Sequence, residues 1–409
     1  MKHTLTLLLI FFSCMASAQD LHGTWKGALK VQGMKLRLVY HIDKDDNGKD
    51  ICSMDSPDQS ANGIPGDILH LSADSLNLTI QGMMDYRGRL VGDSIVGVFS
   101  QAGMNFPLTL SRGGVTMNRP QTPTQPYPYT TEEVTFTNSE AGVTLAGTLS
   151  MPVGYGKGEQ VPVLLMVSGS GPQNRDSELF GHKTFLVIAD YLARHGIATL
   201  RYDDRNVGES KADSHAATTV EVADDAKAGL EYLRGRKEFS KVGLLGHSEG
   251  GTVAFMLGAK GLTDFIVSMA GPGVKGEDVL WTQAQKITEL SGQPAIAKED
   301  YIKTVESMQN PWIEFFMKYD PTEDIKNTKC PVFALNGDKD VQVIASHNLT
   351  AIMLKQMGNK NAKIKFYPNL NHLFQPCETG LPNEYSDIET TVSPEVLEDI
   401  ANWVKATAQ

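Results

Sequence analysis

Apolar and polar residues alternate along the first part of the chain. In the stretch GTWKGALKVQGMKLRLVYHI, the apolar residues Val31, Leu36, Leu38 and Tyr40 fall on one face of an extended segment. The segments DSLNLTIQGM and DSIVGVFSQAGMNFPLTLSR repeat this alternation, and glycine and aspartate residues mark the breaks between them. A period of two is typical of half-buried β-strands. The pattern predicts a small all-β domain at residues 19–112, either a sandwich or a closed barrel.

A proline-rich segment, GGVTMNRPQTPTQPYPY, follows at residues 113–129. Each proline fixes φ and removes a backbone donor, so neither a helix nor a sheet can continue through this segment. We interpret it as a semi-rigid linker between two domains, because 409 residues exceed one ordinary domain.

The pattern changes at residue 130, where apolar runs begin to alternate with helical segments. The runs are VPVLLMV, IATLRY, KVGLLG, DFIVSMA, PVFALN and KIKFYP. Near-continuous apolar runs of this length are typical of parallel strands that are covered on both faces. Residues 130–409 are therefore predicted to form a doubly wound, mostly parallel α/β sheet, which binds ligands at the carboxyl ends of its strands.

The segment LLGHSEGG contains a candidate nucleophile. Ser248 lies in a Gly-X-Ser-X-Gly pattern between an apolar run and a helical segment. Such a junction is typical of the nucleophile elbow, a sharp turn at which a Cβ on either flanking glycine would collide with backbone. We predict Ser248 as the nucleophile, and we interpret the neighbouring His247 as structural.

A serine hydroxyl needs a base to accept its proton, and on this fold the acid and then the histidine follow the serine along the chain. Asp340, three residues after Gly337, is the predicted acid, with Asp338 as the alternative. His372 follows the last predicted strand and both acids, and we predict it as the general base.

An oxyanion hole needs two hydrogen-bond donors aimed at the developing charge. The backbone N–H of Glu249 is the first predicted donor, because it follows the serine in the turn. The second is expected from the glycine-rich loop VSGSGPQNRD, where Ser170 is the first choice and Gly171 the next. Arg175 and Asp176, in the same loop, are candidates either for substrate contact or for a structural ion pair.

Five segments occur in order across residues 130–409: SGSGPQNRD, RYDDRNVGES, GHSEGG, NGDKDVQV and NHLFQ. Together they resemble the α/β-hydrolase fold serine esterases of the bacterial EstD-like family. The resemblance implies a carboxylic ester hydrolase with Ser248, Asp340 and His372 as its catalytic triad, preceded by a β-rich region.

The family resemblance also implies a lid, at about residues 272–320. This segment is shorter than the family leads us to expect, so acyl-chain preference cannot be carried over and the substrate-binding residues stay unknown. The aromatic stretch NPWIEFFMKYD, which contains Trp312, is a candidate either for core packing or for an acyl pocket. A second departure is Asn206, which stands where relatives have glycine; asparagine tolerates left-handed backbone.

Composition argues against several function classes. A net charge of −11 without a Lys/Arg cluster argues against nucleic-acid binding. The pattern GPGVKG at residues 271–276 matches a dinucleotide fingerprint, but it follows a late strand and contains a proline, so no cofactor is expected. No metal signature is present, and none is required by the predicted chemistry. The expected partner is a small-molecule ester.

Residues 1–18 have the features of an export signal: a positive start, an apolar run from Leu5 to Phe12, and the small-residue site Ala16-Ser17-Ala18. Cleavage after Ala18 would deliver the protein to the periplasm or the medium. No stable membrane insertion is expected, because no segment is long enough to span a bilayer.

Two readings of the cysteines stay open. A lipid-attachment signal at Cys14 is an alternative to cleavage after Ala18, although Phe11 and Phe12 differ from the usual leucine and small residue. Cys52, Cys330 and Cys377 would remain in the mature chain, and their odd number leaves at least one without a partner in the same chain.

Two alternative functions also remain. The same triad could serve a peptidase, an amidase or an acyltransferase, since all of these pass through an acyl-enzyme. A non-catalytic binding protein is the third possibility, against which the ordered Ser248, Asp340 and His372 argue.

Overall fold

The computed structural model describes residues 20–408, except residues 32, 33, 60, 116, 157 and 217. The chain divides into two compact units, with the boundary between residues 116 and 117. The predicted export signal at residues 1–18, including Cys14, lies outside the described residues.

The first unit is a closed barrel of eight antiparallel strands, each paired with the next and the last with the first. This confirms the barrel rather than the sandwich. The strands are β1 (Gly23–Val31), β2 (Met34–Lys44), β3 (Asp50–Ser56), β4 (Ala61–Leu71), β5 (Ser75–Ile80), β6 (Met84–Val91), β7 (Ser94–Gln101) and β8 (Met104–Arg112), with a short 3₁₀ turn at Pro57–Gln59.

Alternation along the strands fills the barrel interior. On β5, Leu76, Leu78 and Ile80 are buried, whereas the residues between them are partly exposed. Leu38 and Tyr40 are buried in the same core, as the sequence pattern predicts. Closure leaves the barrel without a free sheet edge, which removes a route to edge-to-edge aggregation.

The second unit is built on an eight-stranded sheet in the order β18-β17-β16-β15-β11-β14-β10-β9. The six strands from β18 to β14 in this order run parallel to one another. Strand β10 is antiparallel to both of its neighbours, β14 and β9. The bounds are β9 (Thr131–Asn138), β10 (Val143–Ser150), β11 (Val161–Val167), β14 (Ala198–Tyr202), β15 (Phe239–His247), β16 (Ile266–Met269), β17 (Val332–Gly337) and β18 (Ala362–Tyr367), with a separate ribbon of β12 (Glu178–Leu179) and β13 (His182–Lys183). All six predicted apolar runs are strands of this sheet.

Helices cover both faces of the sheet. They are α1 (Thr184–Arg194), α2 (Thr219–Gly235), α3 (Glu249–Ala259), α4 (Gly276–Leu290), α5 (Lys298–Glu306), α6 (Pro311–Lys318), α7 (Thr322–Asn327), α8 (Ala345–Lys355) and α9 (Pro394–Thr407), with a 3₁₀ turn at Pro382–Glu384. Alternate residues of β11 enter two different cores: Val163 and Leu165 pack with α2, α3 and α8, and Leu164 and Met166 pack with α1 and α9. The doubly wound prediction is therefore confirmed.

Two connecting segments complete the second unit. Helices α4, α5 and α6 lie between β16 and β17 and occupy the predicted lid segment. The part of the proline-rich segment after residue 116 is held against the same unit. There Arg119 donates to the carbonyl oxygens of Phe180, Ser386 and Ile388, and Gln121 bonds the backbone of Val392.

Candidate active site

Ser248 occupies the turn between β15 and α3 with φ 56° and ψ −119°. A positive φ is uncommon for a residue with a Cβ and stores strain, which only a well-packed surrounding can hold. A Cβ at Gly246 would overlap the carbonyl oxygen of Gly250, and a Cβ at Gly250 would overlap that of Val167. These overlaps explain why both positions flanking Ser248 are glycine.

Asp340 and His372 meet beyond the carboxyl ends of β17 and β18. The Oδ2 atom of Asp340 lies 2.7 Å from Nδ1 of His372, and both side chains are buried. The other carboxylate oxygen, Oδ1, accepts hydrogen bonds from the backbone N–H groups of Gln342 and Val343, at 2.8 and 2.9 Å. The carboxylate is therefore fully engaged, with one oxygen directed at the imidazole.

The alternative acid, Asp338, makes no hydrogen bond to His372 among the described residues. Its side chain is exposed, and its Oδ1 accepts from the backbone N–H of Asn369 at 2.7 Å. It joins the turn after β17 to the turn after β18, which is a structural role.

His247 supports the loop of His372. Its Nε2 lies 2.9 Å from the carbonyl oxygen of His372, and the two rings are 4.8 Å apart. Complete burial, followed by the nearby His372, lowers the pKa of His247 to about 3. A neutral imidazole therefore donates Nε2–H to that carbonyl. The sequence indicated a structural residue here but did not indicate this contact with the predicted base.

Ser248 and His372 make no hydrogen bond to each other within the part of the chain that the structure describes. Ser248 is partly exposed, and the glycine-rich loop after β11 passes beside it. A Cβ placed on Gly169 would lie 3.2 Å from the Cβ of Ser248. Hydrogen bonds between nucleophile and base are commonly long without substrate and shorten in the reacting complex.

Two sets of backbone N–H groups are candidates for the oxyanion hole. Glu249 is the first residue of α3, where the helix leaves its N–H groups without an intrahelical partner. Across from it, Ser170 and Gly171 make no backbone hydrogen bond through their N–H groups among the described residues. These are the three residues from which the sequence predicts the oxyanion hole.

Comparisons with known proteins bear on the fold of the second unit. A family model described as serine aminopeptidase, S33 (Hydrolase_4) matches residues 182–296. The solved esterase Pf2001 of Pyrococcus furiosus superimposes with a TM-score of 0.50 at 17% identity, covering 72% of this chain and all of that one. The second unit therefore has the α/β-hydrolase fold.

Two curated proteins are similar in sequence. Esterase EstD of Thermotoga maritima is 29% identical over 276 residues, which cover 64% of this chain and 65% of that protein. Dipeptidyl peptidase 8 of Homo sapiens is 25% identical over 264 residues, which cover 62% of this chain and 27% of that protein. The chain thus spans just under two thirds of the first relative and about a quarter of the second.

The second unit contains a cavity of about 450 Å³ beside the glycine-rich loop at residues 168–173, which we call the oxyanion loop after its predicted role. Its walls combine the glycine-rich loop, the end of β14, the first residue of α3 and one residue of lid helix α6: Gly169, Ser170, Tyr202, Asp204, Glu249 and Trp312. Trp312 donates from Nε1 to Oε1 of Glu249 at 2.7 Å, which ties lid helix α6 to the elbow. Trp312 lines this cavity and also packs against the buried cluster of Val279 and Phe316, so core packing and an acyl pocket both stay predictions for it.

Asp204 anchors the oxyanion loop. Its Oδ2 accepts from the backbone N–H of Gln173 at 2.9 Å and from the hydroxyl of Ser168 at 3.3 Å. Its backbone N–H donates to the carbonyl oxygen of Gln173 at 3.0 Å. The segment RYDDRNVGES contributed to the family resemblance, but nothing in its local pattern indicated that Asp204 would hold this loop.

Burial dominates the electrostatics of the cavity. It raises the pKa of Asp204 to about 7, against the hydrogen bonds from Gln173 and Ser168, and the neighbouring Glu249 and Asp225 raise it further. Burial likewise raises the pKa of Glu249, which is opposed by its hydrogen bonds from Thr219 and Trp312. Both carboxyl groups are therefore easier to protonate than carboxyl groups in water.

Arg175 and Asp176 are structural. Arg175 is paired with Asp203, Glu133 and Glu209, and Asp176 is paired with Arg201 and Lys183. Neither residue lines the cavity. The ion-pair alternative for these two residues is thereby favoured over substrate contact.

Three further observations bear on the sequence predictions. Among the described residues, no group of three or more His, Cys, Asp or Glu side chains could hold a metal ion. No helix in the described ranges is both long and apolar enough to cross a membrane. Cys52, Cys330 and Cys377 are all free thiols.

Proposed function

We propose that the protein is an exported serine hydrolase that cleaves carboxylic esters of short or medium acyl chains. The observation that carries the proposal is the buried pair of Asp340 and His372, joined at 2.7 Å, in a chain that also holds Ser248 in a strained elbow. A buried carboxylate directed at one imidazole nitrogen leaves the other nitrogen as a base. The similarity to esterase EstD supports the ester as the bond cleaved.

The reaction follows from these positions. His372 removes the proton of Ser248 as the serine oxygen attacks the ester carbonyl, and Asp340 stabilises the imidazolium that forms. The negative charge on the carbonyl oxygen is stabilised by the N–H of Glu249 and by that of Ser170 or Gly171. His372 then protonates the leaving alcohol, and an acyl group remains on Ser248. Water, activated by His372, attacks this acyl-enzyme and releases the acid.

Cleavage of an amide bond is the second candidate function. Its support is the family model described as a serine aminopeptidase and the similarity to dipeptidyl peptidase 8. Amide hydrolysis uses the same acyl-enzyme and differs in the leaving group, which is an amine. Acyl transfer would use the same intermediate with an alcohol or an amine in place of water.

Export remains part of the proposal on the strength of residues 1–18 alone. Cell fractionation with N-terminal sequencing tests it. A mature protein that starts at Gln19 in the periplasm or medium supports cleavage after Ala18, whereas lipid on Cys14 supports the alternative.

The function is tested with p-nitrophenyl esters of two to about twelve acyl carbons, using wild type and Ser248→Ala. We expect hydrolysis that peaks at one chain length and falls by several orders of magnitude in the variant, because the nucleophile is lost. The matched aminoacyl p-nitroanilides test the amide candidate in parallel. Ester hydrolysis that is equal in wild type and in the folded Ser248→Ala variant would contradict the proposal.

A further inference from the structure

The loop that carries the predicted base is a short closed turn. His372 lies in the segment NHLFQ, at residues 371–375, in the connection that follows β18. The backbone N–H of Asn371 donates to the carbonyl oxygen of Gln375 at 3.0 Å, and the N–H of Phe374 donates to the carbonyl oxygen of Asn371 at 3.0 Å. The two ends of the segment are thus joined, and His372 lies inside the turn that they close.

Two amide side chains close the same turn a second time. The Oδ1 atom of Asn371 accepts from the backbone N–H groups of Leu373 and Gln375, both at 3.0 Å. The Nδ2 atom of Asn371 donates to Oε1 of Gln375 at 2.9 Å. Both side chains are completely buried. We call Asn371 and Gln375 the amide clamp.

The turn contains two unfavourable features. Phe374 has a φ of 61°, in the left-handed region that favours glycine. The Nε2 atom of Gln375 is buried and has no hydrogen-bond partner among the described residues. Because Oδ1 of Asn371 already accepts two backbone N–H groups, its Nδ2 faces Gln375, which therefore presents its oxygen and leaves its own N–H groups unpaired. Strained backbone and unpaired buried polar groups are typical of sites where function requires a fixed geometry.

The turn also lies directly against the strand that leads to the predicted acid. A Cβ at Gly337, the last residue of β17, would overlap the carbonyl oxygen of Leu370. The backbone N–H of Lys339 donates to that same oxygen at 3.1 Å. The loops of Asp340 and His372 therefore share backbone contacts, and a shift of the turn would change the 2.7 Å contact between these two side chains.

We infer, on the basis of the proposed function, that the amide clamp positions His372 for its reaction with Ser248 while the imidazole stays bonded to Asp340. Asn371 and Gln375 are positioning residues, because they act on the reaction through the backbone of His372. A general base must lie within hydrogen-bond reach of the proton that it removes. A displacement of about 1 Å can lower the rate of such a reaction by about 100-fold.

A second amide pair at the opposite end of β18 supplies a matched control. The Nδ2 atom of Asn359 donates to Oε1 of Gln356, also at 2.9 Å, and Gln356 is buried. The amide of Gln356 further donates to two backbone carbonyl oxygens at the end of α7. Gln356→Met therefore removes more hydrogen bonds than Gln375→Met does, at the end of the strand away from His372.

The test compares the two methionine variants, since methionine keeps the length of the side chain and removes the acceptor. With the p-nitrophenyl ester that wild type hydrolyses best, Gln375→Met should lower kcat by about ten- to 100-fold and change KM by less than about twofold. Gln356→Met should change kcat by less than about twofold. If Gln375→Met does not fold, Gln375→Asn, which withdraws the acceptor by one methylene group, takes its place.

Gln375→Glu tests which atom of the clamp matters. This variant keeps an acceptor oxygen for Asn371, and the N–H groups that it removes have no partner to lose among the described residues. A buried carboxyl group is easily protonated and still presents its carbonyl oxygen. We expect kcat within about threefold of wild type. A kcat as low as that of Gln375→Met would contradict the role of this acceptor.

A spectroscopic readout separates positioning from a general loss of stability. The proton between Nδ1 of His372 and Oδ2 of Asp340 should give a proton NMR resonance well downfield of the amide region, which Asp340→Asn identifies by its disappearance. We expect this resonance to broaden or disappear in Gln375→Met and to stay unchanged in Gln356→Met. Melting of each variant shows whether the two lose comparable stability.

The outcomes distinguish the clamp from the proposed function. Equal losses of kcat in the two methionine variants, or a rise in KM alone in Gln375→Met, overturn the clamp and keep the esterase. If wild type hydrolyses no ester, an alkyl fluorophosphonate gives the same comparison: the Ser248 oxygen bonds to phosphorus, fluoride leaves, and the serine proton passes to His372. Slower labelling of Gln375→Met than of Gln356→Met then supports the clamp without the esterase, and equal labelling rates overturn it.

Discussion

Two aspartates follow strands at the same edge of the large sheet, and their carboxyl groups differ in how many of their oxygens are hydrogen-bonded. Asp340, after β17, accepts two backbone N–H groups on one oxygen and the imidazole of His372 on the other. Asp204, after β14, has donors on one oxygen only, and it faces Glu249 across the cavity. Burial raises the pKa of Asp204 to about 7.

The difference shows that position on the fold does not fix what a carboxyl group does. Hydrogen bonds to a carboxylate favour its charged form, whereas burial and a neighbouring acid favour the neutral form. A carboxylate with hydrogen bonds on both oxygens can keep a base in one orientation throughout the reaction. A carboxyl group with one open oxygen is instead suited to bind a donor that arrives with the substrate.

The largest effect on activity is expected from removing the charge of Asp340, whose two carboxyl oxygens are both hydrogen-bonded. Asp340→Asn should lower kcat by about 10³- to 10⁴-fold, because an amide cannot hold the imidazole in the tautomer that accepts the serine proton. Stopped assays with the best p-nitrophenyl ester measure the change. Asp338→Asn is the control, as this exposed residue accepts only from Asn369 among the described hydrogen bonds. Comparable losses in the two variants would argue against Asp340 as the orienting acid.

Asp204, which has donors on only one carboxyl oxygen, should change how the stability of the protein depends on pH. A carboxyl group whose pKa is raised from 3.8 to about 7 binds its proton more tightly in the folded state. Its contribution to stability is therefore complete below the unfolded pKa and is lost as the pH rises through the folded value. Asp204→Asn has no such loss, so its Tm relative to wild type should rise between about pH 4 and about pH 7 and level off above that.

Calorimetric or fluorescence melting across that range measures the slope. The absolute offset between the two proteins also contains the hydrogen bonds to Gln173 and Ser168, so the slope is the informative quantity. Glu249 titrates in both proteins, and Asp225 stays paired with Arg205 in both. A Tm difference that is constant with pH would show that Asp204 has an ordinary pKa.

The parts of this site that the sequence predicted depend on short-range rules. Gly246 follows from a steric conflict with Gly250 in the same five-residue turn, and the six parallel strands follow from apolar runs that must be covered on both sides. Asp340 and His372 could be selected because the fold brings the ends of β17 and β18 to one edge. Their mutual distance is consistent with that selection, and their catalytic roles stay predictions.

The cavity could not be predicted in the same way. Its walls combine the turn after β14, the first residue of α3 and a lid residue that is 63 positions from Glu249. No local period relates these residues, and the hydroxyl of Tyr202 has no partner among the described residues because of how the surrounding side chains pack. The sequence kept Trp312 as a candidate for an acyl pocket, but gave no reason to pair it with a glutamate.

The smallest effect is expected at this lid contact. Trp312→Phe keeps an aromatic ring in the wall but removes the N–H that donates to Glu249, which leaves Thr219 as the donor to that oxygen. Loss of one such hydrogen bond should raise KM by about three- to tenfold and leave kcat nearly unchanged, because the contact shapes the pocket without touching the reacting atoms. Trp281→Phe, on lid helix α4 and outside this cavity, is the matched control. A fall in kcat at constant KM would instead mean that the lid contact positions the elbow itself, since Glu249 follows the nucleophile directly.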